Sequence, residues 1–145
     1  MRISYSGDYA LKAILDLAQR YNNGLSRIQD IAKRQDIPLK YLEQILLMLK
    51  GAGYVKSQRG PKGGYYLAKD PKDIMIGEVI RLVEGPISPI TCVSKSCHQR
   101  CREEGSCVFR PIFDRIRTLT ENVVDKTSFA DLCKKLPKES SMYYI

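Results

Sequence analysis

The sequence predicts a mainly α-helical fold with one small β-hairpin, in which a winged helix-turn-helix is followed by a long helix, and three observations predict it. Two segments with helical apolar spacing, ending near Arg34 and opening around Pro38, are separated only by Gln35-Asp36-Ile37, and two helices joined by so short a turn read as helix-turn-helix. Directly behind them, YVKSQR and GYYL flank Gly60-Pro61-Lys62-Gly63-Gly64, whose backbone permissiveness and turn chemistry favour a hairpin, the wing. Further on, Phe109, Ile112, Phe113, Ile116, Leu119, Val123 and Val124 recur every three or four positions from 109 to 126, with Pro111 confined to the first turn.

The remaining elements follow in order. Ser6 is expected to cap a first helix running to about Tyr21, with Asp8 in its first turn and Ala10, Leu11, Ile14, Leu17, Ala18 and Tyr21 on one face. Asn22-Asn23-Gly24 breaks it, and Ser26 with Gln29 three residues on reads as a capping box for a short helix carrying Ile28, Ile31 and Ala32. On the third helix Leu42, Ile45, Leu46 and Leu49 form the inward stripe, leaving Lys40, Glu43, Gln44 and Leu47 outward or on the flank. Gly51 and Gly53 stop that helix. A fourth, about Ile76–Glu84, is closed by Gly85-Pro86, and Ser128 with Asp131 caps a last short helix on which Cys133 reads as a small buried hydrophobe. The expected organisation is a winged helix-turn-helix over 1–85, a cysteine-rich loop over 86–108, and a dimerisation helix with the C-terminal helix over 109–145.

A chain of 145 residues with 43% hydrophobic content can build one real core with an appendage. The start, MRISYSGDYALK, has no secretory apolar run, and no stretch is long enough to span a bilayer, so a cytoplasmic protein without a membrane partner is expected. Charge is uneven: residues 1–72 hold 13 Lys and Arg against 6 Asp and Glu, and residues 73–145 hold 11 against 10, so the first half carries +7 of the net +8. A one-sided basic excess of this kind is what a phosphate backbone recruits. Enzymatic constellations are lacking: there is one histidine, no nucleophile placed beside it and no phosphate-cradling loop, since the glycines at 60–64 precede a strand.

Four of the five cysteines, Cys92, Cys97, Cys101 and Cys107, crowd one polar stretch, TCVSKSCHQRCREEGSC. In a reducing compartment such a cluster is most economically a metal or iron–sulfur site. The spacing C-x4-C-x3-C-x5-C lacks the paired knuckles of a zinc ribbon and the standard ferredoxin runs, which weakens zinc without excluding it. The long helix behind it carries more apolar face than a domain of this size readily covers, which points to a homodimer suited to a palindromic site.

On the motifs MRIS-x-x-G-x-YAL (1–11), PLKYLEQ (38–44), GYVKSQRGPKGGYYL (53–67) and GEVIRLVEGPISP (77–89), the chain resembles, over nearly its whole length, the Rrf2 family of bacterial winged-helix regulators, which includes the IscR, NsrR and CymR types. The resemblance implies a dimeric transcriptional regulator with helix three in the major groove, Arg59 in the minor groove and a cluster loop beside the dimerisation helix. Bottom-up chemistry is consistent: Gln44 can bond adenine bidentately, Lys40 can meet guanine or phosphate, and Glu43 can accept from cytosine while repelling phosphate. Tyr41, inside PLKYLEQ, joins that set. Arg59 beside Gly60 suits a narrow groove, and Lys56, Ser57 and Lys62 suit phosphates.

The resemblance further implies an iron–sulfur cluster, 2Fe-2S in form, on Cys92, Cys101 and Cys107, with Cys97 an extra thiol. Where IscR-type members place a histidine three residues after the last cysteine, this chain has Arg110, which cannot ligate. That leaves Cys97, His98 and Asp8 as possible fourth ligands, although a carboxylate in a first helical turn is also stabilised by the helix dipole alone. The expected function is a cluster-responsive repressor of iron–sulfur assembly or sulfur-metabolism genes. The alternatives are a cluster-free repressor of cysteine metabolism regulated by thiols, zinc or a partner protein, and a small cluster scaffold or electron carrier.

Overall fold

The structure, a computed structural model, describes residues 2–137. Among the described residues six α-helices and one hairpin run in the order α1 (Tyr5–Gln19), α2 (Ile28–Gln35), α3 (Leu39–Gly51), β1 (Val55–Gln58), β2 (Gly64–Leu67), α4 (Ile76–Glu84), α5 (Arg110–Val124) and α6 (Phe129–Lys135), with 3-10 turns at Pro71–Asp73 and Thr91–Val93. This is the expected mainly helical winged helix-turn-helix with a long helix behind it. Among the described residues no helix is long and apolar enough to cross a membrane. The closing MYYI lies outside the described residues.

α1 is the spine against which α2, α3, α4 and α6 pack. Its Ala10, Ala13, Ile14 and Leu17 meet Ile31 of α2, Leu42, Leu46 and Leu49 of α3, Val79 of α4 and Phe129 of α6 in one buried cluster, so the stripes expected on α1 and α3 are the core faces. The cap of α1 is Ser4 rather than Ser6: the Ser4 hydroxyl accepts from the Gly7 amide at 3.2 Å. The reason is tertiary. The Ser4 amide and hydroxyl both donate to Glu84 Oε1, at 2.8 and 2.6 Å, which pins the start of α1 to the end of α4 and holds the Glu84 carboxyl below its usual range. The helix also stops earlier than Tyr21, because Asn22 and Gly24 both take positive φ.

One polar group in that core escaped the sequence reading. Asp16 is fully buried and accepts from Arg34 Nε and Nη2 at 2.9 and 2.8 Å and from Gln35 Nε2 at 3.1 Å, with Arg20 at 3.5 Å. A buried carboxylate is tolerable only when its oxygens are paired in this way. The pair bolts α1 to the end of α2, just before the helix-turn-helix corner at Asp36, which sits at φ +52°. Pro38 stands at the cap position immediately ahead of α3 rather than inside its first turn.

The capping box expected at Ser26 and Gln29 does not form. The residue capping α2 is Arg27, whose side chain makes no capping hydrogen bond to the helix end. Ser26 is instead buried, and its backbone pairs with Tyr65: Ser26 N donates to Tyr65 O at 2.9 Å and Tyr65 N to Ser26 O at 2.8 Å. The hairpin thus gains a third line of pairing next to the antiparallel register Val55↔Leu67 to Gln58↔Gly64. Gly64 is required there, since a Cβ would stand 2.6 Å from Ser26 O.

α4 has the expected bounds and ends at Gly85, φ +82°. α5 is slightly shorter than expected, starting after Phe109 with Pro111 in its first turn. It lies along α4 through Arg81, which donates to both carboxylate oxygens of Asp125 at 2.6 and 2.9 Å. The chain then turns back: Ile76 N donates to Thr127 O and Phe129 N to Ile74 O, both at 3.0 Å, and the Ser128–Asp131 capping box starts α6 as expected. Because Phe129 is buried among α1 residues, α6 belongs to the core of the N-terminal unit and is not an extension of α5. Cys133 packs partly buried against the same core, and burial pushes its thiol pKa up.

Candidate nucleic-acid interface and thiolate loop

With Leu42, Ile45, Leu46 and Leu49 turned into the core, the helical period leaves Lys40, Tyr41, Glu43, Gln44 and Leu47 exposed on the other side of α3. The hairpin stands beside α3, with Lys56, Arg59, Gly60 and Lys62 exposed and Ser57 half-buried. Gly60 has φ +116°, a backbone state that favours glycine, and it lets the chain reverse directly after Arg59. Among the described residues none of Lys40, Lys56, Arg59 or Lys62 pairs with a carboxylate, whereas Lys12, Arg20, Arg34, Arg81 and Arg117 all do. The α3 and wing cations therefore keep their charge available to an external anion.

Two side chains in this region were not singled out by sequence. Arg27 Nη2 donates to Pro61 O at the tip of the wing at 3.1 Å, and Lys50 Nζ donates to Ser57 Oγ at 2.7 Å. The first joins segments 34 residues apart, and the second spans the helix-to-strand turn, so no helical or strand spacing announces either. Tyr41 also has company: its ring lies 6.3 Å from that of Tyr9, itself 6.2 Å from Tyr5, which extends an aromatic row from α3 onto the first turns of α1.

The cysteine loop is placed between α4 and α5 with its ends held and its middle open. Cys92 is buried in the 3-10 turn that packs on α5, Cys107 is half-buried just before α5, and Cys97 and Cys101 are exposed. No two of the five cysteines are joined. Among the described residues no three Cys, His, Asp or Glu side chains are gathered as a metal site, so the expected triad Cys92, Cys101 and Cys107 is not assembled within one chain. The donor set suits an iron–sulfur cluster chemically, being soft thiolates on one loop, but their placement does not. His98 is engaged elsewhere: its Nε2 lies 2.9 Å from Glu104 Oε1, which Arg110 also approaches at 3.2 Å, and these two partners hold the Glu104 carboxyl below its usual range. Asp8 pairs with Lys12 on its own helix at 2.8 Å.

The loop is nevertheless wired to the helices. Lys95, between Cys92 and Cys97, reaches Glu121 of α5 at 3.2 Å. Glu121 also receives the nearly buried Arg117 at 2.6 Å and Arg81 of α4 at 3.8 Å. One half-buried carboxylate thus joins the loop, α5 and α4, and α4 packs on α1. Beyond this hub, α5 leaves Ile112, Ile116, Leu119 and Val123 exposed, with Val108 and Phe109 just ahead of them. A contiguous apolar stripe of this kind on a monomer marks an interaction surface.

A family model described as "Rrf2: Iron-dependent Transcriptional regulator" matches residues 3–135. The chain is 35% identical over 147 residues to the HTH-type transcriptional regulator CymR of Bacillus subtilis, covering all of both proteins. The solved structure of that protein, titled the global cysteine regulator, superposes with a TM-score of 0.82 at 34% identity, over 94% of this chain and 99% of the other. A solved IscR from T. potens superposes with a TM-score of 0.75 at 33% identity, over 99% and 97%.

Proposed function

This chain belongs to the Rrf2 family of transcriptional regulators, which are not enzymes, and from that premise we propose that it is a cytoplasmic homodimer that binds a palindromic stretch of duplex DNA and represses transcription there, with the cysteine loop as its sensor. The observation that carries the reading is the exposed outward set of α3 standing beside a wing whose cations have no carboxylate partner among the described residues. In this reading Lys40, Tyr41, Glu43 and Gln44 face base edges, and Arg59, with Gly60 behind it, enters the minor groove. Lys56, Ser57 and Lys62 hold phosphates. The apolar stripe of α5 pairs with its copy across a two-fold axis, which sets the spacing of two half-sites.

For the sensor, the first reading is a 2Fe-2S cluster on Cys92, Cys101 and Cys107, with Cys97, or Asp8 contributed across the dimer, as fourth donor. Such a cluster supplies sensitivity to oxidants, nitric oxide and iron supply. It would require the exposed part of the loop to close, since among the described residues no three such donors are gathered within one chain. That same separation favours a second reading, a cluster-free thiol response of the kind suited to cysteine metabolism, which similarity to a protein titled the global cysteine regulator also supports.

The two readings separate on one experiment. Protein purified and reconstituted without oxygen is expected to show visible charge-transfer bands and to contain iron and sulfide, and Cys92→Ala, Cys101→Ala and Cys107→Ala are each expected to abolish them. A colourless, iron-free protein after reconstitution would remove the cluster reading and leave the thiol response.

A further inference from the structure

Between the first turn of α2, the last turn of α3 and the hairpin lies a groove of about 530 Å3, lined by Arg27, Gln29, Lys50, Ser57 and Arg59 among others. We propose that this groove seats a backbone phosphate of the bound duplex, clamped by Arg27 and Lys50. The proposal rests on the DNA-binding reading above and adds a contact outside the α3 and wing residues named there.

Four observations carry it. The lining contains three cations and no carboxylate, and among the described residues none of the three forms an ion pair anywhere. A groove of one sign with low-dielectric walls concentrates the opposite charge. Next, the two clamp residues are held in place by neutral acceptors: Arg27 spends one donor on Pro61 O and Lys50 one on Ser57 Oγ. A guanidinium has five N–H donors and an ammonium three, so each retains bonds for a phosphate oxygen. Third, the groove exists because Ser26 pairs with Tyr65 and Gly64 lets the strand approach, which brings the start of α2 against the wing. Last, the Arg27 side chain does not cap α2, which leaves the helix end that borders the groove available to an anion.

Duplex phosphate is the occupant the placement favours, because the groove is continuous with Ser57 and Arg59 on the face that meets DNA. A phosphate contact has a signature that a base contact or a structural prop lacks: it adds to the salt dependence and is blind to sequence. Binding of the full-length dimer would be measured by fluorescence anisotropy over a range of salt. One duplex would be selected from a random pool by the wild-type protein, and the other would be an unrelated duplex of equal length. Arg27→Ala and Lys50→Ala are each expected to reduce the slope of log K against log salt by about 1.8, or ~0.9 for each of two clamps. Both duplexes should weaken by the same factor, roughly 60-fold near 0.1 M salt relative to 1 M, and Arg27→Lys should restore most of the slope.

An unchanged slope with lower affinity would overturn the clamp and leave Arg27 as a prop for the wing at Pro61. Weakening confined to the selected duplex would overturn it in favour of base reading. Should Arg27→Ala fail to fold, Lys50→Ala, which leaves the Pro61 contact intact, decides alone. Wild-type protein that bound neither duplex at the lowest salt would remove the DNA-binding reading itself, and the clamp with it.

Discussion

Leu119→Lys is expected to convert the protein from a dimer to a monomer and to weaken operator binding by at least ~100-fold. Leu119 lies in the middle of the exposed stripe of α5 and is 56% accessible within one chain, so a lysine there disturbs no intramolecular packing. In the proposed dimer, however, the stripe meets its own copy across a two-fold axis, and an ammonium at its centre would be buried without a counter-charge, which costs several kcal/mol. A monomer grips one half-site and loses the gain of joining two, typically two to four orders of magnitude. Light scattering and anisotropy on the same sample check both parts. A variant that stayed dimeric with native affinity would show that another surface makes the dimer.

Asp16→Ala is expected to have the largest effect on stability, a loss of about 3 kcal/mol. The side chain is fully buried and receives three good hydrogen bonds, two of them from Arg34. Removing the anion strands the guanidinium, which the ion pair now holds firmly protonated, in a partly buried place. Arg34 remains about one-third exposed, so it can turn partly to solvent, which keeps the figure at the lower end of the range for broken buried pairs. For a chain of this size the melting temperature should fall by about 10 °C. Thermal melting followed by circular dichroism measures it, and a shift of under ~2 °C would mean that the pair contributes little beyond its own desolvation.

Much of this fold could be read locally because local chemistry and tertiary packing agree. The inward stripe of α3, the bounds of α4 before Gly85 and the Ser128–Asp131 capping box each sit where spacing or cap residues alone place them. The misreadings occur where a distant segment overrides a local signal. Ser26 and Gln29 have the spacing of a capping box, but the backbone of Ser26 is claimed by Tyr65. Ser6 is a good cap residue, yet Ser4 wins because Glu84 fixes it. Asp16 looks like a solvated helix residue until Arg34 and Gln35 are brought to it.

The site divides in the same way. Residues on α3 and the wing are legible because one helical face and one turn determine them. The cysteines are not, since sequence spacing in an irregular loop does not fix where sulfurs go, and among the described residues no three of them are gathered as a metal site. The hub at Glu121 that ties Lys95 to Arg117 and Arg81 is likewise invisible to local patterns, since it joins the loop, α5 and α4 across the sequence.

The central claim is that iron loading of the cysteine loop sets the grip on DNA. It is tested most directly by measuring the affinity of one protein sample for a selected operator duplex, first reduced and iron-loaded, then after iron removal by a chelator with the thiols kept reduced. Linkage requires that a sensor bind the two dimer states differently, and the account predicts affinities that differ by at least ~5-fold, as expected for a coupling of about 1–3 kcal/mol. Affinities equal within about twofold, in a sample whose iron content changed, would contradict it.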